Sequence, residues 1–295
     1  MSWGEYIFGE DSLKIIEDFA SLDTGVKVFY RCILPESFKE LAIVSHGFTS
    51  HSGFYIHIGK ELASYGYGVC IHDQRGHGRT AQNLERGYVD SFNDFLVDLE
   101  TFTMHVQRIF GGERTVLIGH SMGGLIVLLY AGKYGRVGDA VVAVAPAVLI
   151  PETRRFSTLI FATIASILFP RKRIELPFTE QQIEEGMKRM DRELLEAMGK
   201  DELVLRDTTI RLLVEIWKAS REFWRYVERI QIPTLLIHGE KDNIIPIEAS
   251  RRTYSRLKTL KKELIVYPEC GHSPLHEIGW RERIKNMVEW IRNNI

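Results

Sequence analysis

The stretch from Thr115 to Tyr130 reads TVLIGHSMGGLIVLLY, and it decides the fold. An apolar, β-branched run leads into Gly119-His120-Ser121-Met122-Gly123-Gly124, and a second apolar run follows. A G-x-S-x-G segment between a strand and a helix is the signature of a nucleophile elbow. Such a turn lifts the serine hydroxyl at a helix N-terminus, where backbone amides favour developing negative charge. The alternative is an ordinary glycine-rich turn with an incidental serine, and we take Ser121 as the candidate nucleophile.

Short apolar runs of the same kind recur along the chain. They are Leu41–Ser45, Tyr67–His72, Thr115–Ile118, Ala140–Ala145, Thr234–Ile237 and Leu264–Tyr267. Such runs are typical of strands buried on both faces of a parallel sheet. Between them, Ser91–Phe110 carries one apolar stripe and starts with the capping pair Ser91 and Asp94, which predicts a helix. The alternation predicts an α/β fold with a doubly wound, mostly parallel sheet.

A hairpin before this pattern and an interruption within it define the domain organisation. Ser12–Phe19 and Val26–Leu34 flank a turn cluster and predict a hairpin. From Ala147 to Arg229 no clean strand signal occurs, and long polar helices are predicted over Thr179–Met198 and Leu203–Trp224. We therefore expect a core at 1–146 and 230–295 with an inserted helical cap at 147–229. The cap is expected to cover the carboxyl edge of the sheet, where ligands bind in such folds.

The most apolar segment of the chain lies in this cap, roughly from Phe156 to Phe169. Its flanks are basic, with Arg154 and Arg155 before it and Arg171, Lys172 and Arg173 after it. Two interpretations stay open, a lid helix that lines an acyl pocket and touches a lipid surface, or a helix packed against its neighbours. The segment is too short to span a membrane, which needs about 20 residues. Three further cap aromatics are interpreted as core residues, namely Trp217, Phe223 and Trp224.

A serine needs a base to remove its proton, and the base needs an acid to orient it. Both are expected in loops after later strands. Thr234–Ile237 runs into a loop containing Asp242, and Leu264–Tyr267 runs into a loop containing His272. We assign His272 as the general base and Asp242 as its partner. The competitors are Glu240 for the acid and His276 for the base.

The oxyanion hole requires two backbone N–H groups. One is expected from Met122, after the nucleophile, and the other from Phe48, in the loop after Leu41–Ser45. An ordinary β-turn at Phe48 is the alternative. The remaining histidines of these motifs are given structural roles by default, namely His46, His72, His77, His120 and His238.

Composition and the absence of certain motifs argue against several kinds of partner, cofactor and cross-link. The net charge is −1, from 38 basic and 39 acidic residues, which argues against nucleic acid as a partner. The three cysteines are odd in number and match no metal motif, so a disulfide framework is not expected. No secretory signal is recognised, which favours a cytoplasmic location. Neither a metal nor an organic cofactor is implied, because no phosphate-binding, dinucleotide-binding or H-E-x-x-H motif is present.

Five short motifs, taken in their order along the chain, resemble those of a known superfamily. His46-Gly47, Asp73-Gln74-Arg75-Gly76-His77-Gly78, the Ser121 elbow, Gly239-Glu240-Lys241-Asp242 and Gly271-His272 occur in this order. The chain resembles the α/β-hydrolase superfamily, and most closely its monoacylglycerol lipase and lysophospholipase-like branch. Departures are Thr49 and Ser50, where the branch usually has glycine and glutamate, and Thr80, where a serine is frequent. They weaken monoacylglycerol as the specific substrate.

The expected function is cleavage of a lipophilic carboxylic ester through an acyl-enzyme on Ser121, with possible transient contact between the cap and a membrane surface. Within the same fold, an aminopeptidase, a thioesterase or a carbon–carbon hydrolase are alternatives. An aminopeptidase needs acidic groups near its pocket, for which the cap offers Glu184, Glu185, Glu193 and Glu196. A non-catalytic ligand-binding module is the alternative from another class, although it would not need all three of Ser121, Asp242 and His272. The oligomeric state is left open.

Overall fold

The computed structural model describes residues 13–82, 84–135, 137–150 and 156–295, with only the backbone for 156–160. The strands are β1 (Lys14–Ser21), β2 (Lys27–Leu34), β3 (Glu40–Ser45), β4 (Gly68–His72), β5 (Arg114–His120), β6 (Ala140–Val144), β7 (Arg173–Glu175), β8 (Asp207–Thr209), β9 (Thr234–Gly239) and β10 (Lys262–Tyr267). The α-helices are α1 (Ile56–Ser64), α2 (Phe92–Phe110), α3 (Met122–Lys133), α4 (Phe156–Leu168), α5 (Glu180–Arg189), α6 (Arg192–Gly199), α7 (Ile210–Phe223), α8 (Glu248–Arg256) and α9 (Trp280–Asn294).

Eight strands form one sheet in the order β1-β2-β4-β3-β5-β6-β9-β10. The strands from β4 to β10 in this order run parallel, whereas β1 and β2 form the predicted antiparallel hairpin at one edge. The predicted α/β-hydrolase architecture is confirmed, since the sheet is mostly parallel and flanked by helices. Because the strands are parallel, the loops after β3, β5, β9 and β10 meet at one edge of the sheet.

Apolar packing fills both faces of the sheet. One cluster joins the sheet to α2, α3 and α7, and the other joins it to α1 and α9. Helix α2 begins where the sequence predicted, since Ser91 and Asp94 form a capping box. Helix α3 is buried almost all round, because it runs from the elbow into the first cluster.

The segment 147–229, which the sequence predicts as a cap, differs from that expectation in two places. The helix predicted over Thr179–Met198 is broken between α5 and α6, because Met190 pairs as an isolated antiparallel bridge with Glu277 of the core. The helix predicted over Leu203–Trp224 starts only at Ile210, because residues 207–209 form β8 and pair with β7. The expectation of an all-helical insertion was therefore wrong, and a small two-stranded sheet belongs to the cap.

The apolar cap segment forms α4, and the basic residues Arg154 and Arg155 lie outside the described residues. Several of its side chains are exposed, with Phe161 71% and Leu168 65% accessible. Of the three cap aromatics, Phe223 is fully buried, while Trp217 and Trp224 are half-buried. The indole of Trp224 donates to the Val148 carbonyl oxygen at 3.0 Å.

A disulfide contradicts the expectation from the cysteine count. Cys32 on β2 and Cys70 on β4 are directly paired across the two antiparallel strands and are joined by a disulfide. Cys32 and Cys70 are 38 positions apart in the chain, and no local pattern shows that they are neighbours, because the register is set by strand pairing. Cys270 is free and buried. No helix in the described part of the chain is long and apolar enough to cross a membrane.

Candidate active site

The elbow brings Ser121 to the start of α3 with an unusual backbone. Its φ of 54° and ψ of −113° lie in a region that L-residues rarely adopt. The turn closes only because glycine flanks it, since a Cβ on Gly123 would overlap the Ser45 carbonyl group. Strain of this kind persists where the surrounding structure holds it, and it concentrates at functional sites.

Three side chains from separate loops meet at the carboxyl edge of the sheet. His272 Nε2 lies 2.9 Å from Ser121 Oγ, and His272 Nδ1 lies 2.8 Å from Asp242 Oδ2. A carboxylate only accepts hydrogen bonds, so Nδ1 carries the ring proton and Nε2 accepts from the Ser121 hydroxyl. The arrangement is therefore able to take the Ser121 proton as the oxygen attacks a carbonyl carbon.

The Asp242 carboxylate has hydrogen-bond partners on both oxygens. Oδ1 accepts from the amides of Ile244 and Ile245 at 2.8 and 2.9 Å, and Oδ2 faces His272 and His238. Burial alone would raise the pKa of Asp242. The charge of a protonated His272 and hydrogen bonds from both histidines outweigh burial and hold the pKa well below its usual range. The carboxyl is thus ionised at neutral pH.

The β3 loop, residues 46–51, carries the predicted oxyanion amide of Phe48. A Cβ built on Gly47 would lie 3.5 Å from Ser121 Cβ, so the loop passes beside the candidate nucleophile. Thr49 has a φ of 66°, a conformation that costs a residue with a Cβ about 1–2 kcal/mol. Met122 is the first residue of α3, and the first amides of a helix have no acceptor within it. The loop and the helix start thus both adjoin Ser121, and the oxyanion role of the Phe48 and Met122 amides stays a prediction.

A buried chain of hydrogen bonds behind these groups was missed by sequence reasoning. The Gly47 amide donates to the Tyr55 hydroxyl at 2.9 Å, and Tyr55 donates to His120 Nδ1 at 2.9 Å. His120 Nε2 in turn donates to the His272 carbonyl oxygen at 2.9 Å. Burial lowers the pKa of His120 to about 3, so its ring stays neutral and each nitrogen keeps one role. The chain joins the β3 loop to the backbone of His272, and sequence reasoning gave Tyr55 no role in the site.

Glu277 is a second residue that the sequence did not indicate. Its buried carboxylate accepts from the amide of Gly271 at 2.9 Å and from the amide of Ser273 at 3.2 Å. These two amides flank His272 in the chain, so Glu277 shapes the loop that presents the imidazole. A glutamate four residues after a serine gives no signal of this role in the sequence.

The competitors for the acid and the base lie elsewhere. Glu240 is half-exposed and faces Arg251 at 3.6 Å on the surface. His276 is buried with its ring stacked on Phe54 at a centroid distance of 4.6 Å. Burial also lowers its pKa well below the usual value. Among the described residues, no group of three or more His, Cys, Asp or Glu side chains is placed to hold a metal ion.

A known family matches this chain over most of its length. The profile of the Hydrolase_4 family, described as serine aminopeptidase S33, matches residues 36–279. The chain belongs to this family. Within this α/β-hydrolase family the matched region includes the cap and all three loops that carry Ser121, Asp242 and His272.

Similar proteins of this fold include monoacylglycerol lipases. The monoacylglycerol lipase of Mycolicibacterium smegmatis is 25% identical over 276 residues, covering 92% of this chain and 95% of that protein. Human monoglyceride lipase is 25% identical over 254 residues, covering 82% of this chain and 81% of that protein. A soluble variant of the Saccharomyces cerevisiae monoglyceride lipase, solved with a substrate analogue, superposes with a TM-score of 0.81 over 98% of both chains at 21% identity. That superposition shows the shared fold.

Proposed function

We propose that this α/β-hydrolase cleaves carboxylic esters of lipophilic acyl chains, with Ser121 as the nucleophile. The observation that carries the proposal is the position of His272, within hydrogen-bond distance of both Ser121 Oγ and Asp242 Oδ2. Nucleophile, base and orienting acid in one line are the arrangement that activates a serine for acyl transfer. The monoacylglycerol lipases among the similar proteins support an ester as the substrate.

The first half of the reaction forms an acyl-enzyme. His272 Nε2 takes the hydroxyl proton while Ser121 Oγ bonds to the ester carbonyl carbon. The carbonyl oxygen becomes an oxyanion, which accepts hydrogen bonds from the amides of Phe48 and Met122. When the carbon–oxygen bond to the alcohol breaks, His272 gives its proton to the leaving oxygen.

The second half repeats the same steps with water. His272 takes a proton from a water molecule as its oxygen bonds to the acyl carbon, and the bond to Ser121 Oγ then breaks. The proton passes to Ser121, the carboxylic acid leaves and the enzyme is restored. Asp242 stays ionised throughout and stabilises the imidazolium of His272, because its pKa is held low in the free enzyme.

The acidic cap residues that an aminopeptidase would use lie on the surface. Glu184 pairs with Lys188 and is 69% exposed, and Glu196 pairs with Arg192 and is 67% exposed. Glu185 contacts the Asn243 amide, and Glu193 is exposed. Acids already solvated and paired are poor candidates for binding a substrate amine in a pocket. This placement favours the ester over the aminoacyl substrate that the family description suggests.

We further propose that α4 and the residue after it contact an uncharged lipid surface. Phe161, Ile167, Leu168 and Phe169 are each more than 60% exposed, and exposed apolar side chains grouped in one short segment are typical of interaction sites. Two of the following cations are occupied within the protein, because Arg171 pairs with Glu85 and Arg173 with Asp207. A neutral or zwitterionic surface therefore suits this face better than an anionic one.

The test is a series of p-nitrophenyl esters, from acetate to palmitate, hydrolysed by the wild type, Ser121→Ala and the exposed-serine control Ser255→Ala. We expect loss of about four to six orders of magnitude in kcat for Ser121→Ala, no change for Ser255→Ala, and a peak at medium or long chains. Ester turnover that survives in Ser121→Ala would refute the nucleophile. A wild type that prefers aminoacyl amides would instead support the peptidase alternative.

A further inference from the structure

The cap is attached to the core at two of the loops that form the active site. The first attachment is beside the base. Asp191 N–H donates to the His276 carbonyl oxygen at 3.0 Å, and Ile278 N–H donates to the Arg189 carbonyl oxygen at 3.0 Å. Glu277, which holds the amides on both sides of His272, lies between these two contacts. The break between α5 and α6 is therefore fastened to the loop of the base.

The second attachment is at the β3 loop, beside the predicted oxyanion amide. Leu205 N–H donates to the Thr49 carbonyl oxygen at 2.9 Å. Two residues further along the loop, His51 Nε2 lies 2.8 Å from Asp201 Oδ2, and the two side chains are 0% and 6% exposed. A buried contact of this kind between cap and core restricts the loop far more than a surface ion pair does.

The hydrogen bonds around His51 fix the direction of this contact. The Gly53 amide donates to His51 Nδ1 at 3.1 Å, so Nδ1 is the accepting nitrogen. Nε2 therefore carries the proton and donates it to Asp201. The other Asp201 oxygen accepts from the Leu203 amide at 2.8 Å. Asp201 thus accepts from the core as well as from its own cap segment.

We propose that Asp201 is a positioning residue, which holds the Phe48 amide in place for the oxyanion by fixing His51. The inference rests on the proposed ester hydrolysis. Helix α6 joins the two attachments, so the segment 189–205 of the cap braces the oxyanion side and the base side of the site against each other. This part of the cap acts as a fixed brace, in contrast to the exposed α4.

Two variants cut this contact from opposite sides. In Asp201→Asn an NH2 group replaces one of the two carboxylate oxygens. The NH2 group only donates, so the side chain loses its acceptor for either His51 or Leu203. In His51→Asn the shorter amide keeps its oxygen for the Gly53 amide, as helix-capping Asn does, but cannot reach Asp201. Asp207→Asn is the matched control, because its half-exposed carboxylate pairs with Arg173 on the surface.

The readouts are kcat per titrated active site, KM, and affinity for a trifluoromethyl ketone, whose adduct carries the tetrahedral oxyanion. For both variants we expect kcat to fall about 10- to 100-fold, with KM within about twofold, and ketone affinity to fall in parallel. The kcat of the double variant should be no lower than that of the less active single variant, since both substitutions break the same contact between His51 and Asp201. Asp207→Asn should match the wild type.

Wild-type kcat and ketone affinity in both variants would overturn the inference. So would a loss confined to KM, to melting temperature or to the fraction of titratable sites, since these indicate a structural role. If either variant does not fold, the other decides. Normal turnover in Asp201→Asn with none in Ser121→Ala would refute the brace alone, whereas turnover in Ser121→Ala would refute the proposed function itself.

Discussion

His238 Nε2 lies 3.1 Å from Asp242 Oδ2, so a second, fully buried histidine shares the oxygen that faces His272. The other ring nitrogen of His238 faces the Ser250 hydroxyl at 2.7 Å. Since Asp242 is ionised, Nε2 is the donating nitrogen and Nδ1 accepts from Ser250. His238 therefore helps to orient the acid that orients the base.

Replacing His238 by Asn tests this relationship, because the shorter amide can still accept from Ser250 but cannot reach Asp242. Loss of a hydrogen bond to a charged group costs about 1.5–3 kcal/mol, which predicts a kcat about 10- to 100-fold lower with little change in KM. The pKa of Asp242 should rise but stay well below neutrality, so the profile of kcat between pH 6 and 9 should keep its shape. Ser250→Ala, which leaves the donation to Asp242 in place, should have the smaller effect. Unchanged kcat per titrated site in His238→Asn would contradict the role.

The elbow makes a second prediction, about stability. Gly123→Ala forces a Cβ into the backbone carbonyl group of Ser45, which cannot move without disturbing β3. We expect destabilisation of about 3 kcal/mol or more, measured by urea denaturation. Gly186→Ala is the matched control within α5, where a Cβ meets nothing within 4 Å. That variant should gain about 0.5–1 kcal/mol, and equal stability of the two variants would refute the tight elbow.

Buried histidines make the stability depend on pH. Burial lowers the pKa of His57, His72 and His77 to about 4 each, against about 6.5 in an unfolded chain. Between pH 6.5 and 4 these three rings bind protons in the unfolded state but stay mostly neutral in the folded state. The free energy of unfolding should thus be highest above pH 6.5 and fall towards pH 4, by about 1.4 kcal/mol per pH unit for each histidine.

Denaturation at several pH values measures this slope directly. His57→Gln keeps a donor for the Leu275 carbonyl oxygen but removes one titrating ring. It should therefore reduce the slope of the unfolding free energy against pH by up to the contribution of one proton. An unfolding free energy that stays constant or increases between pH 6.5 and 4 would contradict the burial of neutral rings.

The exposed face of α4 predicts how lipid presentation affects turnover. Replacing Phe161, Ile167 and Phe169 together by serine should weaken co-sedimentation with phosphatidylcholine vesicles by about tenfold or more, because each apolar side chain contributes when it leaves water. Hydrolysis of a soluble short-chain ester should stay unchanged. The control is Met104→Ser with Ile109→Ser, which removes exposed apolar side chains from α2 of the core. Equal losses in the two variants would mean that α4 has no special role.

The features that local patterns encode could be predicted from the sequence. Apolar, β-branched runs predicted the core strands, and the capping pair Ser91 and Asp94 placed the start of α2. The glycines around Ser121 indicated the elbow, because few residue types other than glycine fit the tight positions of such a turn. Asp242 and His272 could be named because parallel strands deliver their following loops to a single edge.

Features that depend on contacts between distant segments became visible in the folded chain alone. The break at Met190, the β7–β8 pair and the Cys32–Cys70 disulfide each require a partner strand whose position no local pattern gives. The same holds for the shared oxygen of Asp242 and for the buried contact between His51 and Asp201, whose partners are 150 residues apart. Periodicity fixes which face of a segment is apolar, but pairing and burial in the whole fold decide what that face meets.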